Sequence, residues 1–165
     1  MAVSVKVSGL SDLKKAMQTL PEKLERGHMR AAMRAGAVVI RDSAKSKVPV
    51  ETGLLKAGIK VKSRSSRKGI IKARVMTTGP HQRIANLVEF GTKPHVIKPK
   101  AGKFLFFGGK MRALVHHPGA RKKPYMRPTF DEKGHESVKV VARALKERLM
   151  KKANLDVGFV KLDDD

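Results

Sequence analysis

The sequence predicts an α+β protein, in which a small, mainly antiparallel β-sheet packs with a long helix in the N-terminal half and with a C-terminal helix. Apolar residues recur at helical spacing from residue 22 to 47 and again after residue 128. Between these segments, residues 59–62 and 71–75 alternate apolar and basic side chains, which is the period of a half-buried strand. We expect one domain over residues 1–153 and an acidic C-terminal tail over residues 154–165.

A short helix is predicted near the N-terminus. Ser11 is a suitable N-cap, and Asp12 is favourable in the first turn because its charge complements the helix dipole. Leu13, Met17 and Leu20 share one face at helical spacing.

A second, longer helix is predicted from Glu22 to about Lys47. Pro21 ends the first helix and opens the second, and Pro49 ends the second because the residue before a proline avoids the helical conformation. Small residues in its apolar stripe permit close approach of a neighbouring element; the stripe is Met29, Met33, Gly36, Ile40 and Ala44. Residues 50–55 are predicted to be a loop that turns at Gly53.

The alternating segments predict a pair of strands with one apolar and one basic face, connected by residues 63–69. Residues 85–90 form a short apolar segment that is either a helical turn or a strand. A further hairpin is predicted from residues 104–107 across Gly108-Gly109 to residues 113–116.

The C-terminal helix is predicted to start at Pro128. Asp131 and Glu132 then occupy its first turn, and Lys151 and Lys152 its last, so that both ends complement the helix dipole. Its predicted buried stripe is Val138, Val141, Leu145 and Leu149.

The charge of the chain points to a polyanionic neighbour. The formal net charge is +23, and residues 52–130 contain nineteen Lys or Arg residues against one acid, Glu89. Such an excess attracts polyanions by counterion release and long-range steering. We expect the strand face and its connection to meet DNA or an acidic protein, and the sequence does not choose between them. The residues of this face are Lys60, Lys62, Arg64, Arg67, Lys68, Lys72 and Arg74.

No catalytic, cofactor or metal site is predicted. The chain has no cysteine, its six histidines lack a metal-binding spacing, and the middle of the chain holds a single carboxylate, Glu89, where a divalent ion would need several. No apolar run reaches the length of a membrane span, so we expect no membrane partner and assembly in a cytoplasm-like compartment. With 4% aromatic residues the core is thin, and we expect subunit contacts to complete the burial of apolar surface.

Two stretches of proline and glycine punctuation carry a family resemblance. The first is Val-Pro-Val-Glu-Thr-Gly-Leu-Leu-Lys at residues 48–56. The second is Val-Glu-Phe-Gly-Thr at residues 88–92, followed by His-Pro-Gly-Ala-Arg at 117–121 and Pro-Tyr-Met-Arg-Pro-Thr-Phe at 124–130. In this order they resemble the minor tail-component or neck family of long-tailed bacteriophages, the gene-product-ten-like proteins of the lambdoid type. The resemblance runs from about Leu10 to about Leu149.

The resemblance implies a non-enzymatic, structural component of the head–tail junction, which acts in neck assembly or tail completion and resides in the virion after assembly in the host cytoplasm. The implied partners are further copies in a six- or twelvefold ring, connector or stopper proteins, tail-terminator or tail-tube proteins, and DNA in the channel without sequence readout. The candidates for subunit interfaces are Glu89, Phe90, His117, Pro118, Arg121, Tyr125, Arg127 and Phe130. Two alternatives remain open, a free-standing nucleic-acid-binding protein and an assembly chaperone absent from the mature particle.

Local alternatives also remain open for these residues. Tyr125 and Phe130 belong either to an interface or to the core, and Glu89 is expected to pair with the Gly91-Thr92 turn or with a nearby arginine. The aromatic residue that precedes Val-Glu-Phe-Gly-Thr in many family members is missing from residues 81–86. The insert at residues 93–116 is unusually basic and Phe-rich, and its Phe104, Phe106 and Phe107 form either a strand core or an exposed partner-binding patch.

Overall fold

A computed structural model of the protein describes residues 10–18, 22–66, 70–100 and 104–152. The helices in this part are α1 Leu10–Gln18, α2 Glu22–Lys47, α3 Leu54–Gly58, α4 Gln82–Phe90 and α5 Met126–Lys152. The strands are β1 Ile59–Ser65, β2 Ile71–Thr77, β3 His95–Ile97, β4 Leu105–Phe107, β5 Lys110–Arg112 and β6 Val115–His117. The α+β class is confirmed, and the described strands form three separate antiparallel pairs, β1–β2, β3–β6 and β4–β5.

Helices α2 and α5 pack against each other in antiparallel directions. Lys47 at the end of α2 forms an ion pair with Glu132 near the start of α5. Eleven residues earlier on α2, the Gly36 carbonyl accepts a hydrogen bond of 3.0 Å from the Ser137 hydroxyl. A Cβ atom built on Gly36 would lie 2.4 Å from Val141 Cγ2, so the glycine is what lets the two helices approach so closely.

The core lies where the end of α2 meets the β1–β2 pair and the start of α5. Ala44, Val48, Ile59 and Tyr125 are each at most 3% exposed. The apolar residues of β1 and β2 face α2, as the alternation predicted, and Arg34 of α2 also donates to the Val61 carbonyl at 3.4 Å. The predicted bounds of α2 are confirmed at both ends.

The first loops differ from the prediction in two details. Helix α1 includes Leu10, so Ser11 lies inside the helix and is not its N-cap. Gly53 turns the chain as predicted, with φ of 77°, but a short helix, α3, follows at once where a loop was expected to reach Leu55. Leu54, Leu55 and Lys56 are good helix formers, which accounts for that turn. Of the predicted α1 stripe, Met17 is buried and Leu20 lies outside the described residues. Pro21, which was predicted to separate α1 from α2, lies outside them as well.

Helix α5 begins at Met126, two residues before the predicted start, and its first turn contains no acid. The prediction was wrong because Pro128 occupies the third helical position, where a missing N–H costs nothing. Leu145 and Leu149 of the predicted stripe are buried, but Val138 is 41% exposed.

Residues 92–100 and 104–120 form an antiparallel arm. Its base is the bridge between Thr92 and Ala120, followed by the β3–β6 pair. Beyond these, β4 and β5 meet across Gly108-Gly109, whose φ angles of 60° and 74° suit a two-residue hairpin turn. The predicted turn is therefore confirmed, but the predicted partner strand at residues 113–116 was wrong, since a two-residue turn pairs β4 with the residues that follow immediately.

Candidate functional site

The outward face of the β1–β2 pair is a continuous basic surface. We call this surface the basic ribbon. It consists of Lys60, Lys62, Arg64, Lys72 and Arg74, and every one of these side chains is exposed. The opposite face of the same strands packs on α2, so side-chain alternation sends all five cations away from the core. Arg67 and Lys68, which were predicted to extend this face, lie outside the described residues.

The strand register places like charges against each other. Lys62 is directly opposite Arg74, and Arg64 is directly opposite Lys72. Like charges at directly opposed positions destabilise an antiparallel pair. Within the described part of the chain, no salt bridge to an acid relieves these cations. The ribbon is consequently a surface whose charge would be better balanced by an external anion.

Glu89 lies in the last turn of α4, and its side chain caps the N-terminus of α5. Its residue is 9% exposed. One carboxylate oxygen, Oε2, accepts from the backbone N–H groups of Tyr125 at 2.8 Å and Met126 at 2.9 Å, and the other, Oε1, accepts from Arg127 at 3.0 Å. We call this contact the Glu89 clamp. The first helical N–H groups of α5 have no intrahelical acceptor, so a carboxylate from another helix satisfies them.

The electrostatics of the clamp favour an ionised carboxylate. Burial alone would raise the pKa of Glu89, but the hydrogen bonds from Met126, Tyr125 and Arg127 and the charge of the Arg127 guanidinium together lower that pKa below its ordinary value. The expected pairing of Glu89 is thus confirmed, although its partner is a helix N-terminus and not the Gly91-Thr92 turn. The signal available in the sequence was its isolation as the single acid of a basic region.

Two glycines explain how α4, the arm and α5 meet. Gly91 has φ of 73°, and a Cβ atom there would lie 2.6 Å from the Ala120 carbonyl oxygen. Gly119 has φ of 87°, and its Cβ atom would lie 2.4 Å from the Thr92 carbonyl oxygen. The glycines of the Val-Glu-Phe-Gly-Thr and His-Pro-Gly-Ala-Arg segments therefore form one joint, at which the arm base is tied beside the Glu89 clamp. Lys123 N–H also donates to the Val88 carbonyl at 2.8 Å across this joint.

Tyr125 belongs to the core of its own chain. It is 2% exposed, its hydroxyl lies 3.4 Å from Thr77 Oγ1, and its carbonyl accepts a hydrogen bond of 2.6 Å from the Thr129 hydroxyl. For this residue the core alternative is the one observed. Phe130, one turn further along α5, is 59% exposed, so the same loop buries one aromatic ring and presents the other.

The remaining interface candidates surround the joint. Phe90 is 73% exposed, and Pro118, Arg121 and Arg127 are exposed as well. His117 is half-buried; its ring stacks on that of His95 with centroids 4.9 Å apart, and its Nδ1 accepts from the Gly119 N–H at 2.9 Å. Phe90 and Arg127 line one pocket together with Tyr125, whereas Arg121 lines a different pocket beside α3 and α4.

No centre for metal binding emerges from the described residues, which contain no group of three or more His, Asp or Glu side chains placed to share an ion. The described helices also include none that is both long and apolar enough to cross a membrane. What the described surface offers is a cationic ribbon and several exposed apolar side chains, which are means of binding other macromolecules.

Comparison with known families points to a class of protein, the bacteriophage tail components. Residues 11–91 are similar to the family described as "Bacteriophage HK97-gp10, putative tail-component". The resemblance seen in the sequence is thereby confirmed over α1 to α4, including Glu89 and Gly91, and the family supports a structural role in a phage tail. The motifs at residues 117–130 lie beyond the matched range. No curated protein and no solved structure gave a significant match.

Proposed function

We propose that this tail component acts at the head–tail junction, in neck assembly or tail completion, as a six- or twelvefold ring that joins the connector to the tail and surrounds the DNA path. In this arrangement the basic ribbon faces either the DNA or an acidic surface of a connector or tail-tube protein. The chain performs no chemistry in this role, and its copies act by holding neighbouring proteins in register.

The observation that carries the proposal is the unbalanced charge of the basic ribbon. Two opposed pairs of like charge are tolerated on an exposed strand face, although they weaken the pairing. Phosphate groups of passing DNA would balance these cations without reading the base sequence. An acidic protein would balance them too, and would gain specificity from charge complementarity.

A charge reversal tests the role of the ribbon. Changing Lys60, Lys62, Lys72 and Arg74 to Glu is expected to leave folding intact, because all four side chains are exposed, and to lower the yield of infectious particles. A matched control reverses four exposed cations elsewhere, Arg30, Arg83, Arg143 and Lys151, with the same change of net charge. If both variants give equal yields, the ribbon has no special role and this part of the proposal fails.

Copy number tests the placement in the virion. Quantitative mass spectrometry of purified particles is expected to find the chain at a fixed multiple of six relative to a portal or tail-tube protein. Absence from the particle would instead favour an assembly chaperone. Tight DNA binding by the isolated monomer, with a steep dependence on salt, would favour a free-standing nucleic-acid-binding protein.

A further inference from the structure

The arm tip, residues 104–112, exposes apolar side chains that the chain itself does not cover. Phe106 is 78% exposed and Met111 is 70% exposed. They are directly opposite each other in the β4–β5 pair, so both project from the same face of the hairpin. Phe104, next to β4, is 53% exposed. A two-stranded hairpin is only marginally stable by itself, and contiguous apolar groups on it are typical of an interaction site.

An apolar groove of matching character lies between α2, β2 and α5. Its volume is about 680 Å³, and its lining includes Ile40, Val75, Arg127, Phe130, Asp131 and Val138. Phe130 and Val138 in this lining are 59% and 41% exposed. Strand β2 pairs with β1 along one edge, and no described strand covers its other edge, which leaves polar backbone groups for a partner.

Charge also permits a contact between the two surfaces. Residues 92–120 contain six Lys or Arg residues and no acid, and Lys110 and Arg112 lie at the tip beside Met111.

The groove lining contains one acid, Asp131, and one cation, Arg127. Further along α5, Glu132 and Glu136 are exposed and form ion pairs with Lys47 and Lys133. The α5 side of the groove therefore balances its cations with acids, unlike the basic ribbon, so a cationic, apolar hairpin meets less repulsion there.

We propose that the arm tip of one copy docks in the α2–β2–α5 groove of a neighbouring copy, with Phe106 and Met111 seated against Phe130 and Val138. The groove stands open in the chain that carries the arm, so the arm that fills it comes from another molecule. Such a contact joins two different surfaces, and repetition of a heterologous contact closes into a ring when its rotation permits. The inference rests on the ring assembly proposed above, for which it names the contact.

Disulfide cross-linking tests the contact directly, because the chain has no cysteine of its own. A Phe106→Cys chain is mixed with a Val138→Cys chain that carries a size tag, and the mixture is oxidised mildly. The expected product is the disulfide-linked heterodimer. The control partner is Leu54→Cys, which is 51% exposed beside a second apolar groove of about 630 Å³ between α3 and α4. Equal heterodimer yields with the two partners would overturn the proposal.

Sedimentation of untagged chains supplies the second measurement. Replacing Phe106 and Met111 together by Asp is expected to weaken self-association by about tenfold or more, since anchors at the centre of an interface dominate its affinity. Far-UV circular dichroism confirms that the variant is folded. Unchanged self-association of this double variant would contradict the proposed contact. If the wild-type chain forms a ring but the cross-link does not form, the arm contact is wrong and the proposed ring stands. If the wild-type chain stays monomeric, both the arm contact and the ring are wrong.

Discussion

The body of the molecule buries its large apolar side chains, whereas the arm exposes them. In the body, formed by α2, α5 and the β1–β2 pair, Ile59, Tyr125 and Leu149 are at most 2% exposed, and the Glu89 clamp satisfies the start of a helix from inside the chain. In the arm, Phe106 and Met111 are largely exposed. The core of the body completes its contacts within one chain, and the arm tip does not. Changes in the core should therefore alter folding, and changes at the arm tip should alter assembly.

The largest effect is expected at the Glu89 clamp. Glu89→Ala leaves three N–H groups at the start of α5 without their acceptor, and we expect the free energy of unfolding to fall by about 3 kcal/mol, measured by urea denaturation. Glu132→Ala is the control, since Glu132 is an exposed acid on the same helix whose pair with Lys47 is worth little. Similar losses in the two variants would mean that the clamp contributes no more than a surface ion pair.

The packing of α2 on α5 is tested by two glycines of one helix. A Cβ atom at Gly36 would lie 2.6 Å from the Ser137 carbonyl oxygen, so Gly36→Ala is expected to cost about 1–3 kcal/mol by overpacking. Gly27 has open space around its Cβ position, and Gly27→Ala is expected to stabilise the helix by up to about 1 kcal/mol. Thermal unfolding of both variants should show opposite signs. A stabilising Gly36→Ala would show that the two helices are less close than described.

Lowering the pH should weaken the Glu89 clamp, with a smaller loss of stability than the Glu89→Ala substitution causes. The folded-state pKa of Glu89 is lowered, so its carboxylate stabilises the fold fully at pH values above the ordinary Glu pKa of 4.5. That contribution is lost as the pH falls from there through the folded-state pKa. Urea midpoints measured at pH 6 and in steps below pH 4.5 should decline more steeply for the wild type than for Glu89→Gln, and parallel curves would contradict the assignment.

The smallest effect on stability is expected at the arm tip. Phe106→Ser removes an exposed ring, and we expect the unfolding free energy of the monomer to change by no more than about 0.5 kcal/mol, as for most surface substitutions. The measurement is urea denaturation at a concentration at which the chain is monomeric. A loss approaching that of Glu89→Ala would show that the arm packs on its own body, and the contrast between the two regions would disappear.

Much of the body could be predicted from local pattern. The bounds of α2, the alternation of β1 and β2 and the exposure of their cations all follow from the spacing of apolar residues over a few turns or strand positions. The start of α5 was misplaced because the local acids, Asp131 and Glu132, suggested a first turn. The residue that performs this task is Glu89, 36 residues before Tyr125, and no local rule connects them.

The sequence by itself determined the class of fold, the long helices, the basic strand face and the resemblance to a phage tail-component family, because periodicity, charge and motif order are local or compositional properties. The tertiary structure decided that Glu89 caps α5, that Tyr125 is core while Phe130 is exposed, and that β4 pairs with β5 in an exposed arm. The capping of α5 by Glu89 and the burial of Tyr125 depend on which distant segments approach one another. That approach is fixed by close backbone contacts at glycines such as Gly91 and Gly119, whose consequences appear only once the chain is folded.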